Sequence, residues 1–348
     1  MTDICWEYYP LVSGDQRARA WLQIQANLQL RPNTIDAYGR CLNDYLDFCA
    51  RNQLRPETIP REHFSLYVQD LVTRPNPKAA HILTFGSGCG LSNSTLQQRV
   101  TVVRLYQDYL VEQQIRPDTP VRRGYYAAGK SFGGARQRGE IRAHQTLPWI
   151  PSDEEWLAVL TSLKVECLRN QVMLLLAYDG ALRREELVTL SISDLDVAYR
   201  QARIRADHAK NGRERVVGYG TVTSRLLEAH LRRRRELSVY GGPLFLSESH
   251  HHFAGSLSLV MWSKVVQRIA SRAGLPRFTT HTPRHLRLTH MARANMDLNQ
   301  IAAYAGHRSV QTSMQYIHLS GVELTDALTR SLAGFEQWIA LVLGEPLP

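Results

Sequence analysis

The sequence predicts a mainly α-helical chain of two domains, the second carrying one small β-hairpin. Three observations carry this expectation. Apolar residues recur at steps of three and four through most of the chain. One stretch, residues 121–148, has several Gly and Arg residues and no apolar periodicity, as a linker would. A single β signal stands out: Ala202–Ala206, then Asn211-Gly212, then Arg215–Gly218. Asn-Gly favours a two-residue hairpin turn because both positions tolerate positive φ.

Taken in order, residues 1–12 read as an N-terminal tail, followed by amphipathic helices over 15–30 and 33–51 separated by Arg31-Pro32. In the second of these, Ile35, Tyr38, Leu42, Tyr45, Leu46 and Cys49 share one face. A third helix is predicted over 61–72 through Phe64, Tyr67, Val68 and Leu71, then a long loop over 73–91. Ser94 is the expected cap of a fourth helix, which closes a small all-α domain at 13–120. Beyond the linker, Pro151-Ser152-Asp153 is a helix start, and the second domain runs from 149 to 321. Within it an apolar helix from about Val172 ends at Gly180. Another begins at Asp297 and ends at Gly306, and Ser309 is placed to cap a short helix carrying Tyr316. After Ser320-Gly321, the residues Leu324, Leu328, Leu332, Phe335, Ile339 and Val342 form one apolar helical face over 322–348.

Composition narrows the function classes. The 44% apolar content suits packed cores, and no apolar run is long enough for a membrane-spanning helix. The amino terminus lacks a basic-then-apolar leader pattern, and five scattered cysteines without a C-x-x-C pair suit reduced thiols, so a cytoplasmic protein is expected. His250-His251-His252 are adjacent in a loop, where side chains rarely converge on one ion, so no metal is expected. The net charge of +10 favours a polyanion. Residues 1–120 are neutral, with 12 basic and 12 acidic side chains. The linker holds Arg122, Arg123, Lys130, Arg136, Arg138 and Arg142 against Glu140 alone, which makes those six candidate DNA contacts.

Four places carry candidate chemistry, and each alone has an ordinary structural reading. Arg183, just past Gly180, has Glu186 one turn on to orient it, though surface Arg–Glu pairs are commonplace. Lys210 sits at the hairpin tip, where turn residues are often charged. His281-Thr282-Pro283-Arg284-His285 resembles a helix N-terminus, whose free N–H groups attract anions. Tyr316 follows Gly306-His307 by nine residues and, beside Met314 and Ile317, reads locally as a core aromatic.

Together they read differently. Arg183, Lys210, His281-x-x-Arg284, Gly306-His307 and Tyr316, in that order and spacing, resemble the signature of the tyrosine recombinase (phage integrase) family. The R-x-N-T-x-x-x-Y stretch at Arg31–Tyr38 is similar to that family's core-binding domain, and the resemblance extends over about 13–320. Ala181 stands where the family usually has Gly, and Pro283 where it usually has Leu. The resemblance implies a C-shaped two-domain clamp: a helical core-binding domain and a mixed α/β catalytic domain of the tyrosine recombinase type, with 322–348 as a C-terminal exchange helix. It implies DNA cleavage and religation through a 3′-phosphotyrosyl link on Tyr316, without cofactor or metal. Double-stranded DNA with inverted-repeat core sites is the implied substrate, bound by a homotetramer, with accessory recombination proteins as possible partners.

The residue types suit that chemistry. Phosphodiester transfer builds negative charge on nonbridging oxygens, which Arg183 and Arg284 would stabilise with His281 and His307 as further donors. His281 is the expected proton acceptor for Tyr316, whose ordinary pKa is about 10, and Lys210 the expected donor to the leaving 5′-oxygen. Type IB topoisomerase-like relaxation and noncatalytic DNA-binding regulation are the rival classes. The separate helical domain and the segment beyond Tyr316 favour recombination, and a regulator would have no need of all six catalytic groups. Among recombinases, integrase or transposase of a mobile element ranks first, and chromosome or plasmid dimer resolvase second.

Overall fold

The computed structural model describes residues 3–74, 91–121, 141, 147–207 and 212–319. The chain divides into two compact units, 1–146 and 147–348. Lys210, the six basic linker residues and the segment 322–348 lie outside the described residues.

The first unit is helical: α1 (Pro10–Gly14), α2 (Gln16–Asn27), α3 (Pro32–Arg51), α4 (Arg61–Thr73) and α5 (Asn93–Glu112). Asp15 caps α2 by accepting from the backbone N–H groups of Arg17 and Ala18, and Pro32 opens α3, where its missing N–H costs nothing. Two expectations need correction. Ser92, not Ser94, caps α5 through the Thr95 N–H, because Ser94 is already inside the helix. Residues 1–12 are not merely a tail: Tyr9 and Val12 are buried in the core, and the Tyr9 hydroxyl donates to Asp36 at 2.7 Å. The Tyr9 ring lies so close to Gly39 that a Cβ there would meet it at 2.8 Å, which accounts for a glycine inside α3. Tyr45, Tyr67, Tyr106, Trp21 and Phe64 fill the rest of this core. Their polar ends are served within it: Gln107 donates to the Tyr45 hydroxyl at 3.0 Å and accepts from buried Arg116 at 2.5 Å.

The second unit opens with α6 (Asp153–Leu163), whose Ser152 cap and Glu155 exchange hydrogen bonds in a capping box. Next come α7 (Leu168–Asp179) and α8 (Arg184–Val188). A three-stranded antiparallel sheet follows in the order β1 (Leu195–Asp196), β2 (Gln201–Ile204), β3 (Arg215–Gly218). Ala202 pairs with Val217 and Ile204 with Arg215, so the predicted hairpin forms, joined by a short strand that the sequence did not reveal. The helices α9 (Thr221–Leu237), α10 (Leu259–Arg272), α11 (Thr282–Arg293), α12 (Leu298–Ala305) and α13 (Gln311–Leu319) complete the unit. The apolar α7 is its axis, packing on both α9 and α11. Val172, Met173, Leu174, Leu176 and Ala177 of α7 are buried in a core shared with Trp262, Val265 and Ile269 of α10. Buried Glu166, between α6 and α7, receives Arg268 and Arg272 of α10. No helix among the described residues is long and apolar enough to cross a membrane.

Candidate active site

The site is built where four chain turns meet. α7 ends at Gly180, and Ala181 turns the chain through φ +47° into Arg183, which stands immediately before α8. α11 begins beside His281 with Pro283 in its first turn, an arrangement that puts Arg284 and His285 near the helix start. α12, capped by Asp297, ends at Gly306 in the left-handed region, φ +63°, and delivers His307. Ser309 Oγ accepts the Gln311 N–H at 3.2 Å at the start of α13, which carries Tyr316.

Glu186 is the anchor. It is 2% exposed, and its carboxylate takes four hydrogen bonds. Arg183 supplies its backbone N–H at 2.9 Å and Nη1 at 2.7 Å. Arg215 of β3 supplies Nη1 at 3.0 Å and Nη2 at 2.6 Å, a two-pronged ion pair. Burial alone would raise the Glu186 pKa; the hydrogen bonds and charge of Arg215, then those of Arg183, outweigh it and hold the carboxyl down at about 2. Arg215 also donates from Nε to the Tyr304 carbonyl at 2.9 Å, and Arg183 Nη2 donates to the Gly306 carbonyl at 3.1 Å. A Cβ at Gly306 would stand 3.0 Å from Arg215 Nη1, so glycine serves both the turn and the close approach of the guanidinium.

Arg284 is aimed by main chain. Its Nη1 donates to the Ala181 carbonyl at 2.5 Å, and its Nη2 to the Ala305 carbonyl at 2.6 Å and to His307 Nε2 at 3.0 Å. Burial and the nearby Arg183 push its pKa down to about 9, which leaves it charged at neutral pH. Burial first, then the charges of Arg284, Arg183 and Arg215, lower His307 to about 3. His307 is therefore a neutral ring whose Nε2 accepts from Arg284, and it presents an N–H to an anion only on gaining a proton there.

Tyr316 is 1% exposed, and its ring stacks on His307 at 6.2 Å and 8°. Its hydroxyl shares a hydrogen bond of 2.9 Å with His285 Nδ1. Burial raises the phenol pKa, against Arg284, and burial with the charges of His281 and Arg284 lowers His285 to about 4. A protonated phenol thus faces a neutral imidazole. The nitrogen in hydrogen-bond contact with the phenol belongs to His285; His281, the acceptor expected from the sequence, is exposed, and its ring centre lies 6.5 Å from that of His285.

The structure gathers Arg183, Glu186, Arg284, His285, His307 and Tyr316 into one cluster. Three members were not anticipated. Arg215 carries a strand signal that alternation could have exposed, because it shares its face with buried Val217. Tyr304 places its hydroxyl 2.7 Å from the Asp179 carbonyl and 2.9 Å from that of Gly218, joining α12 to α7 and β3. Ser313 is fully buried with Oγ 2.7 Å from His307 Nδ1, and a serine in a short helix gives no such warning. Among the described residues, no group of three His, Cys, Asp or Glu side chains is placed to hold a metal ion, and His250–His252 form one 3₁₀ turn.

Comparison with known proteins finds relatives in both sequence and structure. Residues 153–322 match the phage integrase family model. Tyrosine recombinase XerC of Herpetosiphon aurantiacus is 34% identical over 86% of this chain and 89% of its own length. Tyrosine recombinase XerD of Halalkalibacterium halodurans is 25% identical over 85% of this chain and 90% of its own. Among solved structures, the Tn1549 transposon integrase in complex with transposon right end DNA is similar at TM-score 0.63 and 14% identity, over 94% of this chain and 99% of that one. The XerH site-specific recombinase bound to palindromic difH substrate is similar at TM-score 0.62 and 19% identity, over 85% of this chain and 79% of that one.

Proposed function

The chain belongs to the tyrosine recombinase (phage integrase) family, enzymes that break and rejoin DNA, and from that premise we propose that Tyr316 is the nucleophile of site-specific strand exchange. One observation carries the assignment. The Tyr316 hydroxyl stands against His285 while its ring stacks on His307, which is itself bonded to Arg284. Arg183 and Arg284 would hold the scissile phosphate, with His281 and His307 as supporting donors. Tyr316 Oη then attacks phosphorus, its proton passes to His285, and the P–O5′ bond breaks to leave a 3′-phosphotyrosyl link. Lys210 is proposed to protonate the departing 5′-oxygen. Attack by a 5′-hydroxyl reverses the sequence and restores a phosphodiester, so no external energy source is consumed.

The linker arginines and Lys130 are proposed to follow the DNA backbone, and 322–348 to dock in a neighbouring protomer of a homotetramer on inverted-repeat core sites. For the biological setting, the names XerC and XerD among the relatives favour resolution of chromosome or plasmid multimers over integration by a mobile element. That order reverses the sequence-based ranking; likeness to the transposon integrase, at 14% identity, is likeness of fold.

The test begins with a binding site selected from random duplex DNA. A nicked version that loses its 5′ fragment on cleavage should trap a covalent adduct mapping to Tyr316. Tyr316→Phe should bind that DNA and give none. An adduct that persists in the variant, or maps to another residue, overturns the assignment. A plasmid with two directly repeated sites should be resolved into two circles if the resolvase reading holds, and preferential joining of separate plasmids would reject it.

A further inference from the structure

A guanidinium has donors and no acceptor. In the 3.0 Å contact between Arg284 Nη2 and His307, the ring's Nε2 must therefore be the accepting, unprotonated nitrogen. The neutral ring then carries its proton on Nδ1, and the atom beside Nδ1 is Ser313 Oγ at 2.7 Å. Ser313 is fully buried, so no solvent competes for that proton. Carbonyls of Ala181 and Ala305 take the other two Arg284 hydrogen bonds. His307 is thus the one side-chain acceptor among these three, and its capacity to accept depends on which nitrogen holds the hydrogen.

We propose that Ser313 is a positioning residue for strand cleavage: by accepting the Nδ1 proton it holds His307 in the tautomer whose Nε2 fixes the Arg284 guanidinium. The inference rests on the reading of Arg284 and His307 as phosphate-handling groups. Ser313 lies three residues before Tyr316 on α13, hence on the same side of that helix. Placement of the nucleophile's helix and the aim of the arginine are thereby linked through one imidazole. When a phosphate draws a second proton onto Nε2, the bond from Arg284 is given up to that phosphate while Nδ1–H keeps its acceptor, so the same hydroxyl serves the charged ring too.

Two measurements on the full-length protein test this. Ring-nitrogen NMR of histidine-labelled protein, with His307 identified by its loss in His307→Phe, should show the Nδ1–H tautomer in the wild type. An Nε2–H tautomer there overturns the proposal whatever the variants do. Single-turnover cleavage of nicked DNA should fall about fivefold to tenfold in Ser313→Ala, the worth of one hydrogen bond, and be largely restored in Ser313→Thr. In a His307→Phe background, Ser313→Ala should cost nothing further, because its partner nitrogen is gone. An equal loss in both backgrounds means Ser313 acts on the fold rather than through His307. If His307→Phe itself cleaves as fast as the wild type, the assignment of His307 fails instead, and the tautomer spectrum still decides the bond.

Discussion

Replacing Glu186 with glutamine removes one negative charge from between two arginines while changing the side chain's shape little. In the wild type the carboxylate takes four hydrogen bonds, all from arginines, and is 2% exposed. Its pKa stands at about 2 against an ordinary 4.5. That difference corresponds to about 3 kcal/mol of stability at neutral pH, similar to the cost of breaking a buried ion pair. The sign follows from the direction of the shift. A depressed carboxylate stabilises fully above 4.5, loses that contribution as pH falls toward about 2, and contributes nothing below. The glutamine has no such titration. Urea unfolding of the unit that holds Glu186 should therefore show Glu186→Gln about 3 kcal/mol less stable at pH 7, and the gap should shrink to about 1 kcal/mol at pH 3. Comparing two proteins at each pH cancels the other acidic and histidine groups. Cleavage at pH 7 should fall as well, because the amide offers one accepting oxygen where the carboxylate served Arg183 and Arg215 with two. A gap that stays constant between pH 7 and pH 3 would refute the electrostatic account, leaving Glu186 as a matter of packing.

Three further outcomes are expected. Gly306→Ala puts a Cβ at φ +63° and 3.0 Å from Arg215 Nη1, so thermal unfolding should show a loss of at least about 1 kcal/mol, with cleavage reduced. Tyr304→Phe strips the hydroxyl from the Asp179 and Gly218 carbonyls and should cost about 1–2 kcal/mol, read by the same unfolding assay, with DNA binding unchanged. Lys210→Ala should lose most cleavage of ordinary DNA but recover it on a substrate with a 5′-bridging sulfur, whose leaving group needs no proton; Arg284→Ala should not recover.

What could be read from the residues, and what could not, divides along physical lines. Local rules worked where the signal is local: the helix start at Pro151-Ser152-Asp153, the helix that Asp297 begins and the C-cap at Gly306 all stand where the residue types put them. The cluster around Tyr316 was legible because the order and spacing of its residues, not any single motif, resemble a family signature. Arg215 escaped because an arginine in a four-residue strand looks solvated until its buried carboxylate partner, 29 residues away, is known. Ser92 was passed over for Ser94 because both are serines two residues apart, and only the backbone decides which one stands outside the helix. Residues 1–12 looked like a tail because Tyr9 and Val12 are too few to show a period, yet both are buried and Tyr9 fills the space that Gly39 leaves open. His281 was preferred to His285 as partner of Tyr316 because only three-dimensional placement shows which ring lies against the phenol.

Arg284 takes two of its three acceptors from the carbonyls of Ala181 and Ala305. A carbonyl belongs to the path of the chain, not to the identity of the residue that carries it. Positions 181 and 305 can therefore drift in sequence while the arginine's aim is inherited intact, as long as the turn that presents each oxygen survives. Alanine at 181, where the family resemblance leads one to expect glycine, illustrates this: it carries the methyl through φ +47° at a cost of about 1–2 kcal/mol and leaves the oxygen in place. Residue type alone would mark that position as a departure, whereas the carbonyl that receives Arg284 is still presented.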